Sequence, residues 1–231
     1  MVDSKQLVKE LREITGAGIL DCKKYLERAN NNIDDAIKLI RSEAGLKADK
    51  KGSRIAAEGI VNYYEDEKCS LILELNSETD FVARDDNFIS LSSSIAEKLL
   101  KNNPSDIQKD ISSEISSAIS KLGENIQLRR FKKIEKNNFV YGYSHHNKIS
   151  SLVELKNDDE GLAKDICMQI VASNPLSLDE ASLDSDILQS EKEIYKKELE
   201  KLDKKEDIKR NILDGKLKKF INENTLLNQP F

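Results

Sequence analysis

No hydrophobic run in this 231-residue chain approaches the ~20 residues that crossing a bilayer as a helix requires. The first residues, Met1 to Gln6, hold neither an apolar signal core nor an arginine-rich transit pattern. No membrane association is therefore expected, and a cytoplasmic location is the default. Cysteine is scarce: Cys22, Cys69 and Cys167 stand far apart with no CxxC pair, which argues against a disulfide framework or a zinc knuckle. Each lies among apolar neighbours and reads as a small core filler. There is no excess of positive charge either. With 37 Lys and Arg against 42 Asp and Glu the net charge is -5, so the molecule carries no footprint for a phosphate backbone, and no direct nucleic-acid partner is expected. A glycine-rich phosphate cradle, a nucleophile elbow and a metal-spaced His/Cys cluster are all missing, which speaks against a hydrolase or transferase. No catalytic residue, metal or cofactor is expected.

What is present is charge and helical periodicity. Charged residues make up 34% of the chain and the mean hydropathy is -0.57, as in a helix-rich soluble protein. Residues 1–45 read as a three-helix module. Leu7, Val8, Leu11 and Ile14 recur at helical spacing, Thr15-Gly16-Ala17-Gly18 makes a sharp reversal, and Asn30-Asn31-Asn32 breaks the second helix before Ile33, Ile37 and Ile40 mark the third. Residues 46–56 form a polar, basic linker.

A weak internal repeat follows. Ser70-Leu71-Ile72-Leu73-Glu74-Leu75 aligns with Ser150-Ser151-Leu152-Val153-Glu154-Leu155, shifted by 80 positions. Each copy is approached by a hairpin-like strand, 60–64 or 139–143, and followed by a helix stopping at Asn103-Pro104 or Asn174-Pro175. Those Asn-Pro pairs are shifted by only 71, so the first copy holds nine extra residues around Thr79 to Asn87. The repeat divides the core into an N-terminal half, 57–138, and a C-terminal half, 139–187. A strand over 125–131 belongs to the first half; the second half lacks its counterpart, so on repeat logic something is missing at the C-terminus, either in a shortened protein or in a fragment of a longer one. Residues 188–222 read as an antiparallel helical hairpin that projects from the body, with 223–231 the start of a return segment. The fold class is α+β with antiparallel sheets.

The lengthened connection is the most informative part of the sequence. Ser77-Glu78-Thr79-Asp80-Phe81-Val82-Ala83 leaves a strand and precedes a helix start at Asp85-Asp86, whose carboxylates suit a helix N-terminus. It places a phenyl ring beside a carboxylate in a loop, and loops lie on the surface. Phe81 is thus a candidate wedge for another protein, against the plain alternative of a ring folded back on its own core. His145-His146 suggests a metal only superficially, because adjacent strand residues point to opposite faces and no third ligand is near. Glu74 and Glu154 occupy matching places in apolar strands, and exposure at a sheet edge explains them more simply than a catalytic pair.

Taken in order, the motifs resemble the bacterial elongation factor Ts family over nearly the whole chain. LREITGAGILDCKKYLERANNNIDDAI at 11–37 resembles its ubiquitin-associated-like module, TDFVA at 79–83 its signature, and GENIQLRRF at 123–131 its core strand. Tyr143-Ser144-His145 and Gln229-Pro230-Phe231 also match. The resemblance implies a guanine nucleotide exchange factor for elongation factor Tu, binding its GDP-bound and nucleotide-free forms and performing no bond chemistry. It implies that Thr79, Asp80, Phe81 and Val82 dislodge Mg²⁺ in the partner, with Arg12, Ile19, Leu20 and His145 as further partner contacts. Ile19 and Leu20 stand where the family commonly has methionines, and His146 leaves open which imidazole faces outward. For the helical hairpin the resemblance implies a homodimer, a heterotetramer with the partner, or contact with the partner's other domains. A competing reading from the binding-module class is a non-exchanging chaperone or assembly scaffold for elongation factor Tu.

Overall fold

The computed structural model describes residues 4–40, 43, 52, 54–202 and 204–231. The expected linker 46–56 lies mostly outside them. The described chain divides into two compact units, Met1–Asp158 and Asp159–Phe231.

The first unit opens with helices α1 (Ser4–Thr15), α2 (Ile19–Arg28) and α3 (residues 33–40). Leu11, Cys22, Tyr25, Leu26 and Ala36 form a small core, with Leu7, Val8, Ile33, Ile37 and Ile40 packed around it. Gly16 reverses the chain after α1 with φ +67, and Asn30 and Asn31 turn it after α2 at φ 51 and 60. Asparagine tolerates this left-handed region better than other residues with a side chain.

The body of this unit is a three-stranded antiparallel sheet of β1 (Glu58–Glu65), β2 (Cys69–Ser77) and β3 (Gln127–Glu135), in the order β1-β2-β3. Between β2 and β3 the chain runs through α4 (Asp80–Ala83), α5 (Asp86–Lys101) and α6 (Pro104–Leu122). Period-two alternation puts Leu71, Leu73 and Leu75 on one face of β2. All three are fully buried, clustered with Phe88, Ile95, Leu99, Ile111 and Ile119 of α5 and α6. At ~1.5–3 kcal/mol per fully buried side chain, these leucines anchor the strand firmly beneath α5 and α6.

β2 is the central strand, and that corrects one expectation. Glu74 is not exposed at an edge: it is 8% exposed, with Arg129 Nη1 donating to Oε1 at 3.1 Å and Arg130 Nε to Oε2 at 2.6 Å. The arginines come from β3, which flanks β2 on the side away from β1. A carboxylate in a central strand needs such partners, since burying an unpaired charge is costly. Glu154 does sit exposed, accepting from Asn138 Nδ2 at 2.7 Å.

A two-stranded antiparallel hairpin, β4 (Phe139–His145) and β5 (Ile149–Leu155), completes the unit. It meets the outer edge of β1: Val61 N donates to Asn147 O at 2.8 Å, Tyr63 N to Ser144 Oγ at 2.9 Å, and Ser150 Oγ to Val61 O at 2.8 Å. The approach demands glycine at 142, where a Cβ would fall 2.2 Å from the Tyr63 ring.

The second unit begins with α7 (Glu160–Ser173), capped by Asp159, whose side chain accepts from Leu162 N, and ended at Asn174 with φ 47. Helices α8 (Ser185–Glu200) and α9 (Glu206–Asn224) follow as a hairpin. Lys216 of α9 pairs with Glu198 and lies 4.9 Å over the Tyr195 ring. Leu199 is buried, whereas no residue of α9 is. A short 3₁₀ turn, Leu226–Asn228, returns alongside residues 177 and 178 through Leu226 N to Ser177 O and Leu227 N to Leu178 O, both 2.9 Å. The architecture is α+β, with helices at the N-terminus and two antiparallel sheets. Among the described residues no helix is long and apolar enough to cross a membrane.

Candidate partner-binding surface

The segment expected to be an open loop is a single helical turn. β2 runs on to Ser77, Thr79 takes the extended conformation of a helix cap, and Asp80–Ala83 form α4. Thr79 Oγ1 accepts from Val82 N at 3.4 Å. Ala83 is buried and Val82 half-buried against the core, so the turn is pinned along its inner side. Phe81 faces the other way and is 83% exposed. Asp80 sits beside it, ion-paired with Arg84 at 3.0 Å on the helix surface. Residues 78–85 thus separate β2 from α5, and Asp85 caps α5 by accepting from Asn87 N at 2.8 Å. Hydrogen bonds from the Asn87 side chain and backbone hold the Asp85 carboxyl below its usual range.

Sequence reasoning missed what lies behind this turn. Glu124 Oε2 accepts from Glu78 N at 3.1 Å and Thr79 N at 3.0 Å, and its Oε1 accepts from Thr79 Oγ1 at 2.6 Å. Glu78 answers by accepting from Asn125 N at 2.7 Å and lying 3.6 Å from Arg54. Both glutamates stand within or next to the quoted motifs. A separation of 46 residues gives no spacing signal that they meet.

The N-terminal module presents the other apolar candidates. Ile19 and Leu20, first residues of α2, are 58% and 83% exposed. Ile19 lines a shallow groove of about 600 Å³ with Val8, Lys9, Arg12 and Lys23. The end of α6 links the Gly16 reversal to the start of α5. A Cβ on Gly16 would meet the Lys121 side chain at 2.7 Å, and Lys121 Nζ donates to Asn87 Oδ1 at 2.5 Å.

His145 closes β4, but His146 does not continue the strand. His146 and Asn147 have φ 51 and 57 and form the turn, with Lys148 N donating to His145 O at 3.0 Å. The expectation that the two rings point to opposite faces of a strand therefore fails: both are exposed and meet edge-on at 4.3 Å. Tyr143 Oη lies 3.0 Å from His145 Nδ1. Among the described residues no group of three or more His, Cys, Asp and Glu is placed to hold a metal.

Register gathers these elements. Ser77, where β2 gives way to the α4 turn, pairs with Glu58 of β1. Lys148, in the turn after His145, donates to Glu58 Oε2 at 2.8 Å and Gly59 O at 3.1 Å. The Phe81 turn and the His145 turn thus leave the same end of the sheet, and the Gly16 reversal contacts the α6 end that abuts it. An exposed ring, a carboxylate, an apolar groove and an imidazole pair in this arrangement suit recognition of another protein's surface.

Comparison with known proteins agrees on one family. The model of the family described as elongation factor TS matches residues 78–231. The chain is 39% identical to an elongation factor Ts of Alkalilimnicola ehrlichii, over 100% of the chain and 83% of the relative. It is 42% identical to one of Halothermothrix orenii, over 97% of the chain and 81% of the relative, and 42% identical to one of Nitratiruptor sp., over 100% and 83%.

Proposed function

The chain belongs to the elongation factor Ts family and is a guanine nucleotide exchange factor for elongation factor Tu; from that premise we propose that Phe81 is the wedge that loosens the partner's Mg²⁺ and phosphate site. The observation that carries this is a phenyl ring 83% exposed on a turn whose Val82 and Ala83 pack against the core.

The chemistry follows from the metal's demands. Mg²⁺ requires near-ideal octahedral geometry and is shared between protein and phosphate oxygens. Displacing a partner segment by about an ångström spoils that geometry and weakens the hold on the β-phosphate. Burying Phe81 supplies ~1.5–3 kcal/mol toward the displacement. Asp80 brings negative charge to a site losing its cation. Its exposed pair with Arg84 is no obstacle, since such pairs are worth ~0.2–1 kcal/mol. Thr79 and Val82 anchor the turn from below. Arg12, Ile19 and Leu20 bind the partner from the N-terminal module, and His145 binds it from the β4–β5 turn.

Exchange then obeys linkage. A factor that weakens nucleotide binding is itself bound more weakly by the nucleotide-loaded partner, by the same ratio. The factor engages both the GDP-bound and the nucleotide-free partner, and either nucleotide displaces it by mass action. The finer organisation is proposed on the same family grounds: a ubiquitin-associated-like module at 1–45, core halves at 57–138 and 139–187, and a hairpin at 188–222 that supports dimer or heterotetramer contacts, in the cytoplasm.

The test is stopped-flow release of labelled GDP from the partner. Phe81→Ala is expected to fold normally and release GDP far more slowly than wild type. Release at the wild-type rate removes the wedge from the mechanism.

A further inference from the structure

We infer that Glu124 is the positioning residue of this exchange factor: its carboxylate, delivered from beyond the end of α6, holds the Thr79 cap and so sets the direction in which Phe81 is offered. The inference rests on the reading of Phe81 as the wedge and reaches outside the wedge turn to a residue 46 positions beyond Glu78 in the chain.

The need for an external brace is physical. α4 has four residues, far too few to be stable alone, and its first N–H groups lack helical acceptors. The Thr79 hydroxyl satisfies one of them poorly, at 3.4 Å from Val82 N. Glu124 is the stronger acceptor. One oxygen takes two backbone N–H groups at 3.1 and 3.0 Å, and the other takes the Thr79 hydroxyl at 2.6 Å. Hydrogen bonds to an ionised acceptor are roughly twice as strong as neutral ones. Because the hydroxyl proton goes to Glu124, the lone pairs of Oγ1 are left to face Val82 N. The carboxylate therefore orients the cap as well as fixing its place.

The brace is itself rigidly mounted. Gly123 ends α6 in the left-handed region at φ 84, its N–H donating to Ile119 O at 3.0 Å. Ile119 and Ile126, on either side of Glu124, are buried in the main core. Glu78 returns a bond to Asn125 N at 2.7 Å, so segments 77–79 and 123–125 each give a carboxylate to the other's backbone. With Val82 and Ala83 packed beneath, the Phe81 backbone is held from both sides.

The test compares wild type, Phe81→Ala, Glu124→Gln, Thr79→Val and Thr79→Ser in two measurements: the rate of GDP release at saturating factor, and affinity for nucleotide-free elongation factor Tu. Gln has the shape of Glu but keeps one acceptor oxygen: an NH₂ turned toward the backbone loses both N–H bonds, and turned toward Thr79 Oγ1 it makes the hydroxyl an acceptor and takes up its lone pairs. Glu124→Gln is expected to lower the saturating rate about 10-fold or more while changing affinity less than about 3-fold, because misplacing a group by an ångström penalises the step more than the encounter. Hydrogen exchange should quicken at the amides of 79–84 and stay unchanged in β2. Thr79→Val should reproduce the defect, Thr79→Ser should restore the rate, and the double variant Glu124→Gln/Thr79→Val should be no slower than the worse single variant, since both break one link. A wild-type rate for Glu124→Gln beside a slow Phe81→Ala overturns this inference and leaves the wedge standing. A wild-type rate for Phe81→Ala overturns the wedge and the inference together. If Glu124→Gln fails to fold, Thr79→Val decides, and a wild-type rate there overturns the inference.

Discussion

The two segments that repeat in the sequence share a strand, a glutamate and an Asp-capped helix, yet only the first sets a helical turn between strand and helix. β2 lies between two neighbours and is buried along nearly its whole length, whereas β5 has β4 alone and buries Ser151 and Val153. From β2 the chain spends residues 78–85 on a braced helical turn before α5; from β5 it passes through residues 156–159 directly to α7. The difference teaches where a wedge can be built. A side chain that must push on another protein needs a backing that does not yield, and the central strand with its helical cover provides it. The peripheral hairpin instead offers His145 and His146 at a turn, which suits contact more than leverage.

The comparison can be tested in order of expected effect. Leu73→Ala in the central strand should cost about 2–5 kcal/mol, and Val153→Ala at the matching place less than about 2 kcal/mol, read by denaturant unfolding. Equal costs would dissolve the contrast between the strands. Next in size is function: Phe81→Ala should slow GDP release by about 10- to 100-fold with little loss of stability. Lys156→Ala or Asp158→Ala in the short connection should leave release within about 2-fold of wild type. Glu74→Ala should then destabilise by about 1.5–3 kcal/mol through two lost charged hydrogen bonds, against about 0.5 kcal/mol or less for Glu154→Ala.

The smallest effect concerns what the halves have in common. Asp85→Ala and Asp159→Ala each remove a helix cap and should each cost about 1 kcal/mol. Asp85 adds a pH signature. Its carboxyl is held below the usual range by the Asn87 side chain and backbone, so the stabilisation is fully present above the unfolded value of about 4 and lost as pH falls through the lower native value. Asp85→Asn should flatten that part of the acid-unfolding profile, and an unchanged profile would rule the contribution out.

Much of this was legible from residue patterns, and the failures have physical reasons. Helix ends near Gly16, Asn30 and Asn103-Pro104 and the alternation of Leu71, Leu73 and Leu75 follow from local rules acting within a few residues, whereas those rules leave open whether Phe81 is exposed or folds back on the core. Glu74 was misread because central or edge placement depends on β3, which arrives 55 residues later with Arg129. His146 was misread because its positive φ belongs to a turn that only hairpin closure imposes. The α4 turn went unseen because four residues carry no periodicity and the acceptor that steadies them is Glu124, remote in sequence. Local chemistry writes elements plainly; it does not write which distant element will complete them.

If the Phe81 ring acts through the partner's Mg²⁺ shell, its effect depends on the metal being there. The most direct measurement is the rate of GDP release from elongation factor Tu with wild type and Phe81→Ala, each in Mg²⁺ and after its chelation. A large gap between the two proteins is expected with Mg²⁺ present, and its collapse once the metal is gone. A gap of the same size in both conditions would contradict it.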